Sequence, residues 1–110
     1  MKEKWSIWWA EVFFEDDPDV SKIRPVVILE DRIAVCVSLK VTSKVHNDAT
    51  HVILEQWESA GLTSPSWVDM SRVLNIPESC FKEKIGTLDQ CDILSILRRL
   101  GTMSIDKDPA

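Results

Sequence analysis

The sequence predicts a small β-barrel with one C-terminal α-helix, and three observations support this fold class. The 110 residues, 45% of them apolar and five of them Trp, suffice for one compact domain with its own core. Six or so short apolar segments alternate with loops that contain Pro, Asp or Ser. Only one segment, near the C-terminus, has helical periodicity, so a mainly β fold is favoured over a βαβ layout.

The first three strands come from the most apolar part of the chain. SIWWAEVFF, residues 6 to 14, is rich in aromatic and β-branched residues and too short for a typical helix, so it predicts a strand. RPVVIL and RIAVCVSL flank only Glu30-Asp31, a two-residue connection that predicts a hairpin. Because Pro25 cannot donate a backbone hydrogen bond, we expect it at the first position of its strand.

The second half of the chain predicts shorter elements. THVILE alternates as a strand, and QWESAGLTSPS predicts a short helical turn that ends at Gly61, followed by a loop. WVDM and RVLNI predict two further short strands, the second of which is stopped by Pro77. Residues 84 to 88 predict the last strand before the helix.

The predicted helix begins at Asp89, whose side chain can accept hydrogen bonds from the free N–H groups of the first turn. Asp92, three residues later, completes a capping-box-like pair. Gly101 suits the C′ position after the last turn, so we expect a frayed tail from about residue 102 within a single domain, 1–110. The apolar stripe that should pack on the barrel consists of Ile93, Leu94, Leu97 and Leu100.

Composition argues against several classes of function and location. Three Gly residues are too few for a glycine-rich phosphate loop, and three Cys without a CxxC pair predict neither a disulfide framework nor a zinc site. His46 and His51 have no acid or Cys expected at ligand spacing from both, so we expect no metal and no cofactor. A segment interrupted by Glu11 lacks the features of a secretory signal, and no apolar run is long enough for a membrane span, so we expect a cytoplasmic protein.

The distribution of charge is more informative than the net charge of −5, which by itself argues against a nucleic-acid partner. Residues 22 to 46 carry five Lys or Arg against two acids, whereas residues 1 to 21 carry two Lys against six acids. The remaining 64 residues have six bases and ten acids. The predicted hairpin is therefore the only basic segment of an acidic chain.

The hairpin predicts where those cations meet. The start of its first strand and the end of its second lie side by side, so Arg24 should lie next to residues 40 to 44. A guanidinium, two ammonium groups and two hydroxyls at one rim are suited to a phosphodiester. A second interpretation stays open: Arg24 as an exposed ion pair with Glu11 or Asp16, and Thr42 with Ser43 as ordinary turn residues.

The order of motifs also carries a resemblance over almost the whole chain. WWAEVFF, KIRPVVIL, VTSK, THVIL, SWVDMSRVLNI and KEKIGTLDQCDILSILRRL resemble, in that order and spacing, the PemK/MazF family of toxin endoribonucleases, or mRNA interferases. The order is more specific than any single motif. The resemblance implies an SH3-like β-barrel with a C-terminal helix, a homodimer, a cognate antitoxin, and metal-independent cleavage of single-stranded RNA.

The resemblance also implies roles for particular residues. The catalytic arginine of the family falls on Arg24, directly before Pro25, and its catalytic threonine or serine falls on Thr42. In that mechanism the ribose 2′-OH of the substrate attacks the adjacent phosphorus and leaves a 2′,3′-cyclic phosphate and a 5′-OH. The candidate RNA contacts are Lys22, Lys40, Ser43, Lys44 and His46.

Two departures from the family pattern support an alternative function. Ser6-Ile7 replaces the Gly-Asp that usually opens the first strand, and the following loop is the acidic EDDPDVSK, residues 15 to 22. An acidic loop beside the scissile site would repel phosphate; it could narrow sequence specificity, close over the site, or mark a homologue that has lost cleavage. The alternative is a non-catalytic MazF/CcdB-like binding module that acts on a protein partner.

Overall fold

The computed structural model of the chain describes residues 2–14 and 16–107, with the backbone alone for residues 102–107. Its elements follow the predicted order of strands and helix. They are β1 (Ser6–Phe13), β2 (Ser21–Asp31), β3 (Val35–Thr42), β4 (His51–Ile53), β5 (Trp67–Asp69), β6 (Leu74–Pro77), a 3-10 turn (Glu78–Cys80), β7 (Phe81–Thr87) and α1 (Gln90–Lys107).

The strands form one antiparallel sheet in the order β4-β5-β3-β2-β1-β7, and β6 pairs with the first half of β3. The fold is therefore mainly β with a C-terminal helix, as predicted. Among residues 2–14 and 16–107 no ladder joins β7 to β4, β5 or β6, so the sheet is open. The predicted SH3-like β-barrel is therefore not confirmed. Within the same residues, no helix combines the length and the hydropathy that crossing a membrane requires.

The β2–β3 hairpin is confirmed, but its turn is not at Glu30-Asp31. Both of these residues still pair with β3, and the connection is residues 32–34. Asp31 Oδ1 accepts the Ile33 N–H at 2.8 Å, and Ile33 has a φ of 72°. The turn therefore lies at residues 32–34. An Asp side chain can accept the N–H two residues later and hold that residue in a left-handed conformation, whereas Glu-Asp is not a pair that a two-residue turn favours.

The expected position of Pro25 was wrong, because β2 begins four residues earlier, at Ser21. Pro25 lies inside the strand and pairs with Trp9 of β1. The ladder between β2 and β3 begins only at Val26, so β2 is paired on one side at the proline. A residue without an N–H is tolerated where a strand has a free edge.

The helix packs on the larger of two apolar clusters, but its buried stripe differs from the predicted one. Ile96 is fully buried, and Ile93 and Leu100 pack against the same cluster, whereas Leu94 and Leu97 are each 44% exposed. The buried positions 93, 96 and 100 follow the i, i+3, i+7 spacing of one helical face. The prediction failed because the sequence offers apolar residues on both sides of that face.

Asp89 caps α1 as predicted, since its Oδ2 accepts the Cys91 N–H at 3.0 Å. Asp92 does not complete a capping box. Its carboxylate is 1% exposed and accepts the backbone N–H groups of Glu55 at 2.9 Å and Gln56 at 3.0 Å. The buried carboxylate therefore fastens the turn after β4 to the start of the helix, where it satisfies two backbone donors.

The C-terminal boundary of the helix was predicted too early. Gly101 lies within α1, and its φ is not positive, so it is not a C′ residue. The frayed tail predicted from about residue 102 falls on helical backbone up to Lys107, and residues 108–110 lie outside the described residues.

Two glycines allow the turn over residues 55–61 to contact β7 backbone to backbone. A Cβ at Gly86 would lie 2.1 Å from the Ala60 oxygen, and one at Gly61 would lie 2.5 Å from the Ile85 oxygen. Gly61 also has a φ of +94°, a conformation that glycine adopts without strain. The glycine of the IGTL motif therefore has a packing role at one wall of the candidate site.

Candidate active site

Arg24 is half-buried in β2, at the point where the β2–β3 ladder ends, and it lies between two open depressions. It lines both of them. Glu11, a predicted ion-pair partner, instead accepts a hydrogen bond from Ser21 Oγ at 2.8 Å. Within the part of the chain that the structure describes, Arg24 forms no ion pair with Glu11 or Asp16. Arg24 therefore borders both depressions without either of the two predicted ion pairs.

The first depression, which we call the charged cleft, has a volume of about 420 Å³. It is lined by residues from four separate segments: the end of β1 with the loop after it, β2, β3, and the segment from the end of β5 to the start of β6. Three cations face two acids there. Its polar lining residues are Arg24, Lys40, Arg72, Asp16, Asp69 and Ser71, and its apolar walls include Val12, Phe13, Phe14 and Leu74.

Asp69 organises one side of the charged cleft. Its Oδ1 accepts the Ser71 N–H at 2.9 Å and the Ser71 hydroxyl at 2.5 Å, and its Oδ2 lies 3.6 Å from Lys40 Nζ. Burial raises the pKa of Asp69, but hydrogen bonds from Ser71 and the charges of His51 and Lys40 outweigh it and leave the pKa below its usual value. Asp69 is therefore ionised at neutral pH and holds Lys40 at the cleft.

The second depression, which we call the hydroxyl groove, has a volume of about 430 Å³ and a different chemistry. Among residues 2–14 and 16–107, Arg24 is the only charged residue that lines it. Trp9 and Ile23 form an apolar wall, and they are 40% and 58% exposed. Four further lining residues carry hydroxyl groups. These belong to Ser43, Thr63, Ser64 and Ser66.

Thr42 is half-buried at the end of β3 and lines neither depression. Its Oγ1 accepts the Lys44 N–H at 3.1 Å, which is the turn interaction that its residue type favours. The last pair of the β2–β3 ladder joins Val26 to Lys40, and Thr42 pairs with Trp67 of β5 instead. Only a continuation of the β2–β3 register by two residues would place Arg24 opposite Thr42. A threonine hydroxyl that accepts one bond still has its own proton to donate.

The other predicted RNA contacts are spread over the surface. Lys40 lines the charged cleft and Ser43 lines the hydroxyl groove. Lys22 is exposed on β2 and Lys44 is exposed after β3, and neither lines a depression. The structure thus brings Arg24 together with Lys40 on one side and with Ser43 on the other.

His46 lies outside both depressions and stacks on His51, with ring centroids 3.7 Å apart and planes 2° from parallel. Asp48 lies next to both rings: its carboxylate oxygens are 3.6 Å from His46 Nδ1 and 2.8 Å from His51 Nδ1. The expectation that no acid lies at ligand spacing from both histidines was therefore wrong. His51 Nε2 also lies 3.8 Å from Asp69 Oδ2, so this cluster adjoins the charged cleft.

Three residues of the charged cleft were missed in the sequence: Asp69, Ser71 and Arg72. Their only signal was that Asp69 lies within the short predicted strand WVDM and that Ser71 and Arg72 follow it directly. Strand ends commonly carry binding residues, because they lie on a rigid scaffold. The pairing of β5 with β3, which places Asp69 beside Lys40, is not visible in the local sequence.

Comparisons with known proteins agree on one family. Residues 3–104 match the profile of the PemK-like, MazF-like toxins of type II toxin-antitoxin systems. The fold is similar to Mycobacterium tuberculosis toxin MazF-mt6 (TM-score 0.71, 24% identity, 88% of this chain and 93% of that chain). It is also similar to a mycobacterial endoribonuclease in complex with its cognate antitoxin (TM-score 0.74, 14% identity, 93% of both chains).

A third similar structure is a toxin from Mycobacterium tuberculosis, with a TM-score of 0.63 and 25% identity over 72% of this chain and 90% of that chain. No curated protein sequence matches. The profile match spans nearly the whole chain, and the structural matches show that the open sheet with its C-terminal helix is a MazF-like fold.

Proposed function

The chain belongs to the PemK-like, MazF-like family of toxins of type II toxin-antitoxin systems, and we propose that it is an endoribonuclease that cleaves single-stranded RNA at Arg24. The observation that carries the proposal is the position of Arg24 between the charged cleft and the hydroxyl groove. The same guanidinium borders a cationic surface for phosphates and an apolar, hydroxyl-lined surface for bases. A scissile phosphodiester at Arg24 would have its chain extending in both directions.

The chemistry requires only the substrate's own nucleophile. The ribose 2′-oxygen forms a bond to phosphorus, the bond from phosphorus to the 5′-oxygen breaks, and the products are a 2′,3′-cyclic phosphate and a 5′-OH. The proton lost by the 2′-OH is balanced by the one gained at the 5′-oxygen. The protein must stabilise the extra negative charge on the phosphoryl oxygens as the 2′-oxygen attacks.

Arg24 is the main donor in this proposal, because a guanidinium can bind two phosphoryl oxygens at once. Thr42, which a continued β2–β3 register would place opposite it, donates its hydroxyl proton to the same group while its oxygen accepts the Lys44 N–H. Preorganised donors of this kind are worth roughly 10² to 10³ in rate each. Arg24 acts by charge and position rather than as a base, since arginine is protonated at any physiological pH.

Lys40 and Arg72 would bind the neighbouring phosphates in the charged cleft, and Trp9 offers a face on which a base can stack. Ser43 and the other hydroxyls of the groove supply hydrogen-bond partners for base edges. Lys22, Lys44 and His46 lie further out and would contact RNA only beyond the two depressions.

One observation favours a second function, the non-catalytic MazF/CcdB-like binding module. Asp16 and Asp69 line the same cleft as Arg24, and two carboxylates oppose an incoming phosphate. Asp69 is offset by its pairing with Lys40, which leaves Asp16 as the main source of repulsion. Exposed Trp9, Phe13 and Ile23 would then dock a protein instead of RNA.

The remaining parts of the proposal concern partners and location. The family description implies a cognate antitoxin, and a cytoplasmic location follows from an mRNA substrate. We also propose a homodimer, because large exposed apolar side chains such as Ile23 at 58% and Phe13 at 46% are commonly buried by two-fold pairing. Light scattering should give about twice the chain mass of 12.6 kDa, and a monomer at micromolar concentration would contradict the dimer.

The test of the activity is incubation of purified protein with a mixed single-stranded RNA in EDTA. Discrete fragments with 5′-OH and 2′,3′-cyclic phosphate ends are expected. The matched control is the Arg24→Ala protein, expressed and purified in the same way. Its inactivity would exclude a contaminating nuclease. Intact RNA at high protein concentration would reject the nuclease and favour the binding module.

A further inference from the structure

We propose that His46, Asp48 and His51 form a binding site for one divalent transition-metal ion, separate from the proposed RNA chemistry. These two histidines are the only ones in the 110 residues, and they are in contact. One ring nitrogen of each histidine and one carboxylate oxygen of Asp48 all lie within 4.8 Å of one another. Two imidazoles and a carboxylate are donors that suit Zn²⁺, Co²⁺ and Ni²⁺.

The distances between donor atoms fit a shared ion. Ligands bound at about 2.1 Å lie about 3.0 Å apart in an octahedral site and about 3.4 Å apart in a tetrahedral one. Asp48 lies 2.8 Å from His51 Nδ1 through one oxygen and 3.6 Å from His46 Nδ1 through the other. The Thr50 hydroxyl lies 3.0 Å from His51 Nδ1, so a polar atom is already accommodated next to this nitrogen. A water ligand of the ion would take this position.

The surroundings of the cluster also suit a metal. Asp48 is held in place by Thr50, because its Oδ1 accepts the Thr50 N–H at 3.1 Å and the Thr50 hydroxyl at 2.7 Å. The other ring nitrogen of His51, Nε2, faces Asp69 Oδ2 at 3.8 Å. At 3.8 Å this contact is too long for a hydrogen bond, but a carboxylate behind a liganding histidine favours the ring orientation that leaves the opposite nitrogen to the metal.

Binding requires one local change. An ion lies close to the plane of each imidazole that binds it, and the two rings are now parallel to within 2°. One ring must therefore tilt. His46 is the ring that can do so, because it lies in the loop between β3 and β4, whereas His51 begins β4 and has a side chain that is only 10% exposed.

A second group of potential ligands, Asp31, Cys36 and Glu78, does not compete. The Lys2 amide donates to Asp31 at 2.6 Å, and its ammonium group is paired with Glu78. Burial raises the pKa of the Cys36 thiol to about 11, so this group is protonated at neutral pH. Cys36→Ser therefore provides a matched control that removes a ligand type without touching the histidine cluster.

The test is titration of the EDTA-treated, dialysed full chain with Co²⁺ by calorimetry and by absorption spectroscopy, without RNA. We expect one ion per chain and a spectrum without thiolate-to-cobalt charge transfer. His51→Ala and His46→Gln should each weaken binding at least about 10-fold, and Asp69→Asn about 10-fold through the orientation of His51. Cys36→Ser should bind like the wild type.

His46→Gln keeps the test valid even if His51→Ala fails to fold, because His46 lies in a loop outside the core. No binding by the wild type up to about 1 mM Co²⁺, or equal binding by the His46→Gln protein, would overturn the proposal and leave an ion-pair network only. Cleavage of RNA in EDTA is a separate result: its absence would reject the proposed nuclease and would not affect the metal site.

Discussion

The two depressions that Arg24 lines have similar volumes, but one is lined by charged residues and the other by apolar and hydroxyl-bearing residues. The charged cleft offers Lys40, Arg72 and two carboxylates, whereas the hydroxyl groove offers Trp9, Ile23 and a row of serine and threonine hydroxyls. Phosphates carry the charge of RNA and bases carry its stacking surface, so the two halves of a nucleotide chain need these two kinds of wall. The difference indicates that, if the proposed site binds RNA, one arginine at the end of a ladder would contact both halves of the chain.

The largest expected effect comes from the residue that the two sides share. Arg24→Ala should lower the single-turnover cleavage rate by at least ~10²-fold, about 2.7 kcal/mol, because it removes the main donor to the phosphoryl oxygens. Arg24→Lys keeps the charge but not the bidentate geometry, so it should recover only part of the loss. Cleavage of one RNA measures the rate, and an unchanged melting temperature excludes unfolding. Wild-type cleavage by Arg24→Ala would make this arginine structural.

Thr42 separates the turn role from the catalytic role. Thr42→Ala should slow cleavage by about 10²-fold, while Thr42→Ser, which keeps a hydroxyl at the same position, should stay close to the wild type. The Arg24→Ala/Thr42→Ala double variant should lose less than the product of the two single losses, since both groups serve one charge. Cleavage by Thr42→Ala at the wild-type rate, with a lowered melting temperature, would assign Thr42 to the Lys44 turn alone.

Trp9 tests the groove side. Trp9→Ala should weaken RNA binding about 10-fold, since stacking of a base on an aromatic ring is worth roughly 1–3 kcal/mol. The slope of affinity against salt should not change, because no charge is removed. The matched control is Leu94→Ala, which truncates another exposed apolar side chain, on α1, that lines neither depression. Equal effects of the two variants in a fluorescence-anisotropy titration would contradict base stacking in the groove.

Lys40 tests the cleft side in the opposite way. Lys40→Ala should weaken RNA binding about fivefold and reduce the slope of log affinity against log salt by about 0.7, the value for one phosphate contact on a single strand. Lys82→Ala removes an exposed cation on β7 that lines neither depression, so it should leave the slope nearly unchanged. A similar change of slope in both variants would mean that general charge, not the cleft, binds RNA.

The smallest expected effect concerns the acidic loop. Asp16→Asn should strengthen RNA binding about two- to threefold at low salt, because it removes a carboxylate that lines the cleft. Asp17→Asn changes a neighbouring acid that does not line it and should have a smaller effect. If the wild type does not cleave RNA and the Asp16→Asn variant does, the loop is an inhibitory element rather than a determinant of affinity.

Local pattern was sufficient for much of the fold. The β2–β3 hairpin, the order of the elements along the chain and the helix cap at Asp89 all follow from apolar spacing and turn chemistry that operate over a few residues. The meeting of Arg24 with the end of β3 follows from the hairpin as well, since antiparallel neighbours bring their open ends together. Candidate residues on this one hairpin could therefore be named from the sequence.

The tertiary structure decided everything that depends on pairing between distant segments. The β3–β5 ladder places Asp69 beside Lys40 and completes the charged cleft. The buried Asp92 does not cap the helix as predicted but accepts backbone N–H groups 36 and 37 residues away. The stacking of His46 on His51 depends on how one loop folds back. Such contacts are fixed by the packing of the whole chain, because no local periodicity distinguishes one distant partner from another.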